Sequence, residues 1–394
     1  MKPSFLDKFE LVTVRFYIRI LNSILNIFCK FLFSSPGDSP KNIIVYKIGN
    51  IGDIVCAVPA FIAIRRAYPE AKITLLTSPG KKGALGAKEL LIGVWYFNEI
   101  KVYYTEDINS WSKTINFVRG LRKNRYDLFI QLDDLGNFKR FLRNPIFAKA
   151  IGAKSSLGFK VRTVQLFKKT QVDYTTQKTE VESLLDLLKE NGIPVKKIEF
   201  DFNISEEQKT KVKRLIDNIR TSDVPILIVA INPGGKRGAN RWPAERFAEV
   251  VEYLQNKYNA KIIIVGGPND VELAEVIKKK LKPANVLDCC GKMEVLETLE
   301  SLKYCSFLLS NDTGTIHMAA AIGLPVIGLY TIRNIFGRWF PYGKGHKILY
   351  HRFLECNYKK EECIKKSIEM ITVEKVKNIC DEFINKKNII CRRP

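Results

Sequence analysis

Three loops in this chain combine glycine with the charged and hydroxyl residues that an anionic ligand needs. The first reads Lys47-Ile48-Gly49-Asn50-Ile51-Gly52-Asp53. Its glycines permit a tight turn and a close backbone approach to a ligand. It is not a dinucleotide fingerprint, because the third glycine is missing at the required offset. Asp53 falls near the start of a helix, where an aspartate is ordinarily a cap, and spacing alone favours that role. The functional alternative is a carboxylate facing a ligand, able to take a proton from a hydroxyl.

The second loop runs Asn232-Pro233-Gly234-Gly235-Lys236-Arg237-Gly238-Ala239-Asn240-Arg241-Trp242-Pro243. Glycines free backbone N–H groups there, and Lys236, Arg237 and Arg241 add positive charge, a combination suited to a diphosphate. The plain alternative is a solvated basic loop. The third loop, Ser310-Asn311-Asp312-Thr313-Gly314-Thr315-Ile316-His317, joins a buried strand to an Ala-rich helix. N–H groups at that helix start can bind phosphate, helped by the Thr313 and Thr315 hydroxyls, while Asp312 could accept hydrogen bonds from a sugar. His317, one turn into the helix, could equally be a core histidine. A further glycine pair, Gly266-Gly267, closes another strand before Pro268. Asp133-Asp134 is adjacent rather than alternating, so the pair points to opposite faces of a strand, and no Asp-x-Asp pair occurs. A divalent metal therefore has no evident ligands. Positive groups and helix ends are expected to hold a diphosphate without metal or cofactor.

The elements between these loops alternate. Strands are expected at Asn42–Tyr46, Lys72–Thr77 and Leu128–Leu132, with helices near Ile54–Ala67 and Val181–Asn191. After Thr221-Ser222-Asp223 the rhythm restarts, with strands at Ile226–Ile231, Lys261–Val265, Phe307–Leu309 and Val326–Tyr330. Helices are expected there at Glu245–Lys257, Val271–Leu281 and Thr315–Ile322. This pattern predicts an α/β chain with two doubly wound domains, residues 41–220 and 221–370, facing a cleft, and a helical segment at 371–394.

Residues 1–40 form a separate amino-terminal segment. Arg15, Arg19, Asn22, Ser23, Asn26 and Lys30 recur at helical spacing against an otherwise apolar cylinder, up to the stop at Ser34-Ser35-Pro36-Gly37. A cleaved signal peptide fits poorly, since no small-residue cleavage site follows. A spanning helix would carry two arginines in hydrocarbon. An interfacial helix fits best, with packing on the protein's own surface as the alternative. The 64 Lys and Arg against 41 Asp and Glu, a net charge of +23, favour an anionic partner, although a lysine-rich composition also yields such a charge. No nucleic-acid signature appears, so nucleic acid is not expected as a partner. Most of the nine cysteines sit in apolar runs, as in a reducing, cytoplasmic compartment, and Cys356, Cys363 and Cys380 lack the spacing of a zinc site.

Taken in order, these pieces resemble the heptosyltransferases of glycosyltransferase family 9. Gly52-Asp53-Ile54-Val55 with Pro59, Ala67-Tyr68-Pro69, and Tyr126-Asp127 resemble that family's first half. Asn232–Gly235 and Arg241-Trp242-Pro243-Ala244-Glu245-Arg246-Phe247 are similar to its donor-domain entry. Ser310–Gly314 with His317, Ala319 and Ala320 is similar to its most characteristic motif, and Gly337, Trp339, Pro341 and Gly343 resemble the loop that follows. The resemblance spans about residues 42–380.

The resemblance implies a GT-B fold, an acceptor on the first domain and a nucleotide-diphosphate sugar on the second, and inversion without metal. It makes Asp53 the candidate general base, with Gly49, Asn50 and Gly52 beside the acceptor. Gly234, Gly235, Lys236, Arg241, Gly266, Asp312, Thr313, Gly314, Thr315 and His317 become the candidate donor-binding set. The donor implied is ADP-heptose and the acceptor an anionic glycolipid of lipopolysaccharide-core type, with the protein peripheral at the inner membrane. Two features depart from the family: Asn240 stands where a lysine is usual, and the long amino-terminal helix is additional. Asn240 keeps open a transferase for another nucleotide sugar, which donor competition would separate. A non-catalytic sugar-nucleotide or membrane scaffold would be indifferent to loss of Asp53, and an epimerase would form product without an acceptor.

Overall fold

The computed structural model describes residues 5–37, 39–136, 138–162, 177–220, 226–333, 336–351 and 361–387, with the side chains of residues 5–11, 386 and 387 excepted. The chain divides into two compact units, Met1–Asp201 and Phe202–Pro394.

In the first unit, β1 (Asn42–Tyr46), β2 (Lys72–Gly80), β3 (Glu99–Tyr104), β4 (Leu128–Gln131) and β5 (Ser155–Leu157) form one sheet in the order β3-β2-β1-β4-β5. Every pairing is parallel. A parallel strand covered on both faces must be apolar throughout, which is why Ile43, Ile44 and Val45 form an unbroken run. Ile44, Tyr46, Leu76 and Phe129 share a core cluster with residues of the helices Phe5–Leu32, Trp111–Arg122 and Phe138–Ala150. The helix Ile51–Ala67 is buried along most of its length and packs against the helix Glu180–Glu190.

The second unit repeats the plan with β6 (Ile228–Asn232), β7 (Lys261–Ile264), β8 (Val286–Asp288), β9 (Phe307–Asn311), β10 (Val326–Tyr330) and β11 (Lys347–Tyr350). Their order is β11-β10-β9-β6-β7-β8, again parallel throughout. In both sheets the chain lays strands outward in one direction, returns to the middle and continues in the other. The reversal leaves a switch point between β1 and β4 in the first sheet and between β6 and β9 in the second, the places where open α/β sheets bind ligands.

All the strands expected from sequence form, most within a residue or two of their expected limits. The short strands β3, β5, β8 and β11 were not foreseen. They lie at or next to the sheet edges, where half-exposed residues break the apolar run.

Three features correct the sequence reading. The units part between Asp201 and Phe202 rather than near residue 220. The helix Glu206–Asp217 belongs to the second unit: Val212 and Ile216 are fully buried, and Lys211 pairs with Glu297 at 2.6 Å on the neighbouring helix Val295–Leu302. Thr221, Ser222 and Asp223 lie outside the described residues, as does Cys356. Second, the helical segment expected at 371–394 is the helix Val373–Lys387 in the described residues, and it packs on the second unit's own core through Val376, Cys380 and Phe383. Third, Cys363 is disulfide-bonded, which a fully reduced set of cysteines did not anticipate.

Asp381 ties the terminal helix down. Its carboxylate accepts hydrogen bonds from Tyr253 at 2.7 Å, Tyr258 at 2.9 Å and Lys257 at 2.8 Å. Partial burial works to raise its pKa, but these donors outweigh burial and hold it below the ordinary value. A depressed carboxyl contributes stability above its unfolded pKa and loses it as pH falls through the folded value. Asp381→Asn should therefore lower the melting temperature at neutral pH, and the gap from wild type should close as pH drops below about 4. A gap that persists unchanged into acid would remove the charge-assisted tie.

Candidate active site

The first switch point carries the loop Lys47–Asp53. Its main chain is pinned from two sides: Gly49 N–H donates to Ser78 O at 3.0 Å, and Ile48 N–H donates to the Asp133 carboxylate at 3.1 Å. Gly49 has φ +148°, and a Cβ there would lie 2.3 Å from Asp53 Cβ, so only glycine fits. Asn50 N–H donates to Asp53 Oδ2 at 3.0 Å, making Asp53 the third residue of a capping box on the helix Ile51–Ala67. The capping role is thus real. It does not exhaust the group, because an ionised carboxylate offers about four acceptor positions. Gly52 lies in the first turn of the same helix, half-buried like Asn50 and Asp53.

Behind this loop lies a charged cluster that sequence reasoning did not identify. The buried Lys47 ammonium stands 3.4 Å from Asp133 and 3.5 Å from Glu180. Arg162 completes the cluster, donating to Glu180 at 3.0 Å, to Ser183 at 2.9 Å and to the Leu132 carbonyl at 3.1 Å. Burial alone would lower the Lys47 pKa, yet the Asp133 and Glu180 carboxylates hold it above the ordinary lysine value. Asp133 was set aside in sequence as half of an adjacent pair. Its position just past the end of β4, next to β1 in a doubly wound order, was the signal available.

At the second switch point the loops after β6, β7 and β9 meet. Asn232, the last residue of β6, donates to the Thr315 hydroxyl at 2.7 Å and accepts from Gly234 N–H at 2.9 Å. Asn311, the last residue of β9 and fully buried, donates to the Pro233 and Gly234 carbonyls at 2.8 and 3.1 Å and accepts from Trp242 N–H at 3.0 Å. Arg241 donates through Nε to Gly235 O at 2.9 Å and lies 3.5 Å from Asp270, which follows β7. Asp270 also accepts from Gly267 N–H at 3.0 Å. Gly234 and Gly266 both press on Asp270: a Cβ on Gly234 would sit 2.4 Å from Asp270 Oδ2, and one on Gly266 would sit 3.0 Å from Asp270 Cβ.

The predicted donor residues Gly234, Gly235, Arg241, Gly266, Thr313 and Thr315 are therefore neighbours. Gly314 opens the helix Gly314–Ala321, with Thr313 as its N-cap, so the start of this helix lies at the same edge of the sheet. Asp312 N–H donates to Leu329 O at 3.1 Å, which sets the loop between β9 and β10. His317 is buried with its ring edge-on to Trp339, at 6.2 Å between centroids. Lys236 is exposed at the loop's tip. Asn240 accepts from Arg333 Nε at 3.2 Å, so a cation reaches this position from the segment after β10. Asp270 was missed in sequence, although it stands three residues beyond Gly267, whose N–H it accepts.

Two parallel doubly wound units, each with a loop cluster at its switch point, make this a GT-B fold, and the solved structures agree. The fold matches that of a glycosyl transferase family 9 protein from Veillonella parvula at TM-score 0.72 and 22% identity, covering 90% of this chain and all of that one. It matches the E. coli ADP-heptose lipopolysaccharide heptosyltransferase II at 0.62 and 19% identity, covering 88% of this chain and 99% of that one. The family model for glycosyltransferase family 9 (heptosyltransferase) matches residues 114–369, and the chain belongs to that family. It is thus a sugar-transferring enzyme. Among curated relatives, it is 21% identical to the lipopolysaccharide core heptosyltransferase OpsX of Haemophilus influenzae, over 75% of this chain and 81% of the relative. It is 22% identical to lipopolysaccharide heptosyltransferase 3 of Escherichia coli, over 74% and 83% respectively.

The contact between Gly234 and Asp270 can be tested without any ligand. Gly234→Ala should cost about 1–3 kcal/mol in denaturant unfolding, the usual range for overpacking. The cost should shrink by at least half in an Asp270→Ala background, where the clash is gone. Strict additivity would place the two residues apart.

Proposed function

We propose that this transferase moves heptose from ADP-heptose to a hydroxyl of a lipopolysaccharide-core-type acceptor, with inversion and without a metal. The observation that carries the donor half is the junction of the loops after β6, β7 and β9. It assembles glycine backbone, the Arg241 guanidinium and the start of the helix Gly314–Ala321 at one switch point. That is a diphosphate site made of N–H dipoles and a guanidinium. The choice of heptose and of the adenine nucleotide rests on the family and on the relatives' own names.

In the mechanism that follows, the acceptor lies at Gly49, Asn50 and Gly52 of the first unit. Asp53 takes the proton of the acceptor hydroxyl as that oxygen bonds to the anomeric carbon. The bond from that carbon to the diphosphate oxygen breaks on the opposite side, and ADP departs with the electron pair. The charge growing on the diphosphate is held by Arg241, Lys236 and the N–H groups following Asp312, while Asp312, Thr313 and Thr315 hold the donor. Asp270 keeps Arg241 oriented, and the Lys47–Asp133–Glu180–Arg162 cluster keeps the acceptor loop in place. Reaction requires both substrates aligned at once.

A second reading, transfer of a sugar from another nucleotide, follows from Asn240. The Arg333 guanidinium bound to it is broader and more directional than the family's lysine, and would suit a differently placed phosphate or sugar.

The test is product formation followed by mass spectrometry, with ADP-heptose and a deacylated core oligosaccharide. Asp53→Asn should reduce kcat by about 10²–10⁴ and leave donor affinity within a few-fold of wild type. Unchanged turnover in Asp53→Asn would remove the base from the mechanism. Sugar consumption without acceptor would remove transfer to this acceptor.

A further inference from the structure

The amino-terminal helix Phe5–Leu32 is amphipathic in a way its sequence did not disclose. One stripe docks on the first unit: Ile18, Leu21, Leu25 and Cys29 pack with Leu135, Phe141, Phe159 and Val161. Asn22, read in sequence as part of the solvent-facing polar row, is turned inward. Its amide donates to Val161 O at 3.0 Å and accepts from Val161 N–H at 2.8 Å. The opposite stripe, Phe16, Ile20, Ile24, Ile27 and Phe31, is exposed, Phe31 by 87%. Arg15, Arg19 and Lys30 are exposed along the flank of that stripe.

The two helices that share its layer repeat the pattern. Phe138–Ala150 packs beside it and buries Phe141, Asn144, Pro145 and Ala148, while Phe138 (75% exposed), Leu142 and Ile146 stand outward at intervals of four. Trp111–Arg122 packs beside Phe138–Ala150 and turns Trp111, 86% exposed, and Ile115 outward. Exposed Lys139, Arg140, Arg143, Lys149, Lys113, Arg119 and Arg122 lie among these residues. Residues 11–32, 111–122 and 138–150 contain no aspartate or glutamate.

We infer that this three-helix layer is a membrane-docking face that lays its apolar stripes into the interface of an anionic bilayer, with the helix Phe5–Leu32 as one part of it. The apolar side chains stand where the acyl boundary would lie, and the cations among them meet anionic headgroups. A second copy stacked symmetrically on this face would set the cations of residues 11–32, 111–122 and 138–150 against the same cations, so an anionic bilayer is the complementary occupant. The helix is long and apolar enough to cross a membrane by length and composition. Its attachment through Asn22 and Leu25, near the middle of that stretch, instead holds it along the folded unit. The inference goes beyond the transferase reading and is separable from it, since it uses none of the donor or acceptor loops. It would bring the first unit to a lipid-borne acceptor.

The experiment is flotation of the full chain with vesicles of phosphatidylcholine alone or containing phosphatidylglycerol. Parallel nucleotide titration and circular dichroism show that each variant is folded. Wild type should float with the anionic vesicles, fall off in high salt, and be released by alkaline carbonate. Phe138→Glu with Ile146→Glu, and separately Ile20→Glu with Ile27→Glu, should each reduce the bound fraction about tenfold or more. Failure to float, equal flotation on neutral vesicles, or retention through carbonate would overturn the inference. So would normal flotation of the Phe138/Ile146 variant, which would reduce the face to a single helix. A dimer that dissociates on these substitutions would assign the face to a second copy.

Discussion

Two buried asparagine side chains hold the place where the second sheet changes direction. At a switch point neighbouring strands continue into loops that diverge, leaving backbone N–H and C=O groups without a ladder partner. Asn311 takes up three of those groups, from Pro233, Gly234 and Trp242, and Asn232 takes up Gly234 N–H and reaches the Thr315 hydroxyl. An amide can do this because it donates and accepts at once, and at no cost in buried charge. With the loops after β6 and β9 fixed to each other, Trp242 fills the core edge-on to Phe247. Arg241, the residue before it, then extends toward Gly235 and Asp270.

The first unit solves the same geometric problem with charge. Lys47, Asp133, Glu180 and Arg162 connect the end of β1, the segment after β4 and the helix Glu180–Glu190. Buried ions are costly to desolvate, and a hydrophobic packing is often as stable. What the ions provide here is position: Asp133 receives Ile48 N–H and so sets the loop in which Asp53 lies. For the proposed base Asp53 to accept a proton at a defined place, its loop must be held, and the charged cluster sits directly behind that loop.

The fold was legible wherever burial on both sides forced unbroken apolar runs, as at Ile43–Val45, Ile262–Ile264 and Phe307–Leu309. Edge strands such as Ser155–Leu157 and Lys347–Tyr350 carry mixed residues because only part of each is covered, and periodicity does not reveal them. The candidate site was legible in its glycines and local caps, since those depend on residues three or four apart. Asp133, Glu180 and Arg333 were not, because each acts on a loop distant in sequence and carries no local mark; Asp270 has a local bond to Gly267 N–H, but that bond does not reveal its contact with Arg241. Asn22 shows the reverse error. Its helical spacing matched the polar row, but the main chain of Val161 offered it two hydrogen bonds, and tertiary contact overrode the helical wheel.

The proposal stands or falls on whether the second unit's switch point binds an adenine-diphosphate sugar without a metal. The direct measurement is calorimetric titration of the full chain with ADP-heptose in EDTA, with UDP-, GDP- and dTDP-sugars as competitors. Binding should be saturable, unweakened by EDTA and poorly displaced by the other nucleotides. Binding that requires a divalent cation, or that favours a different base, would contradict the proposal.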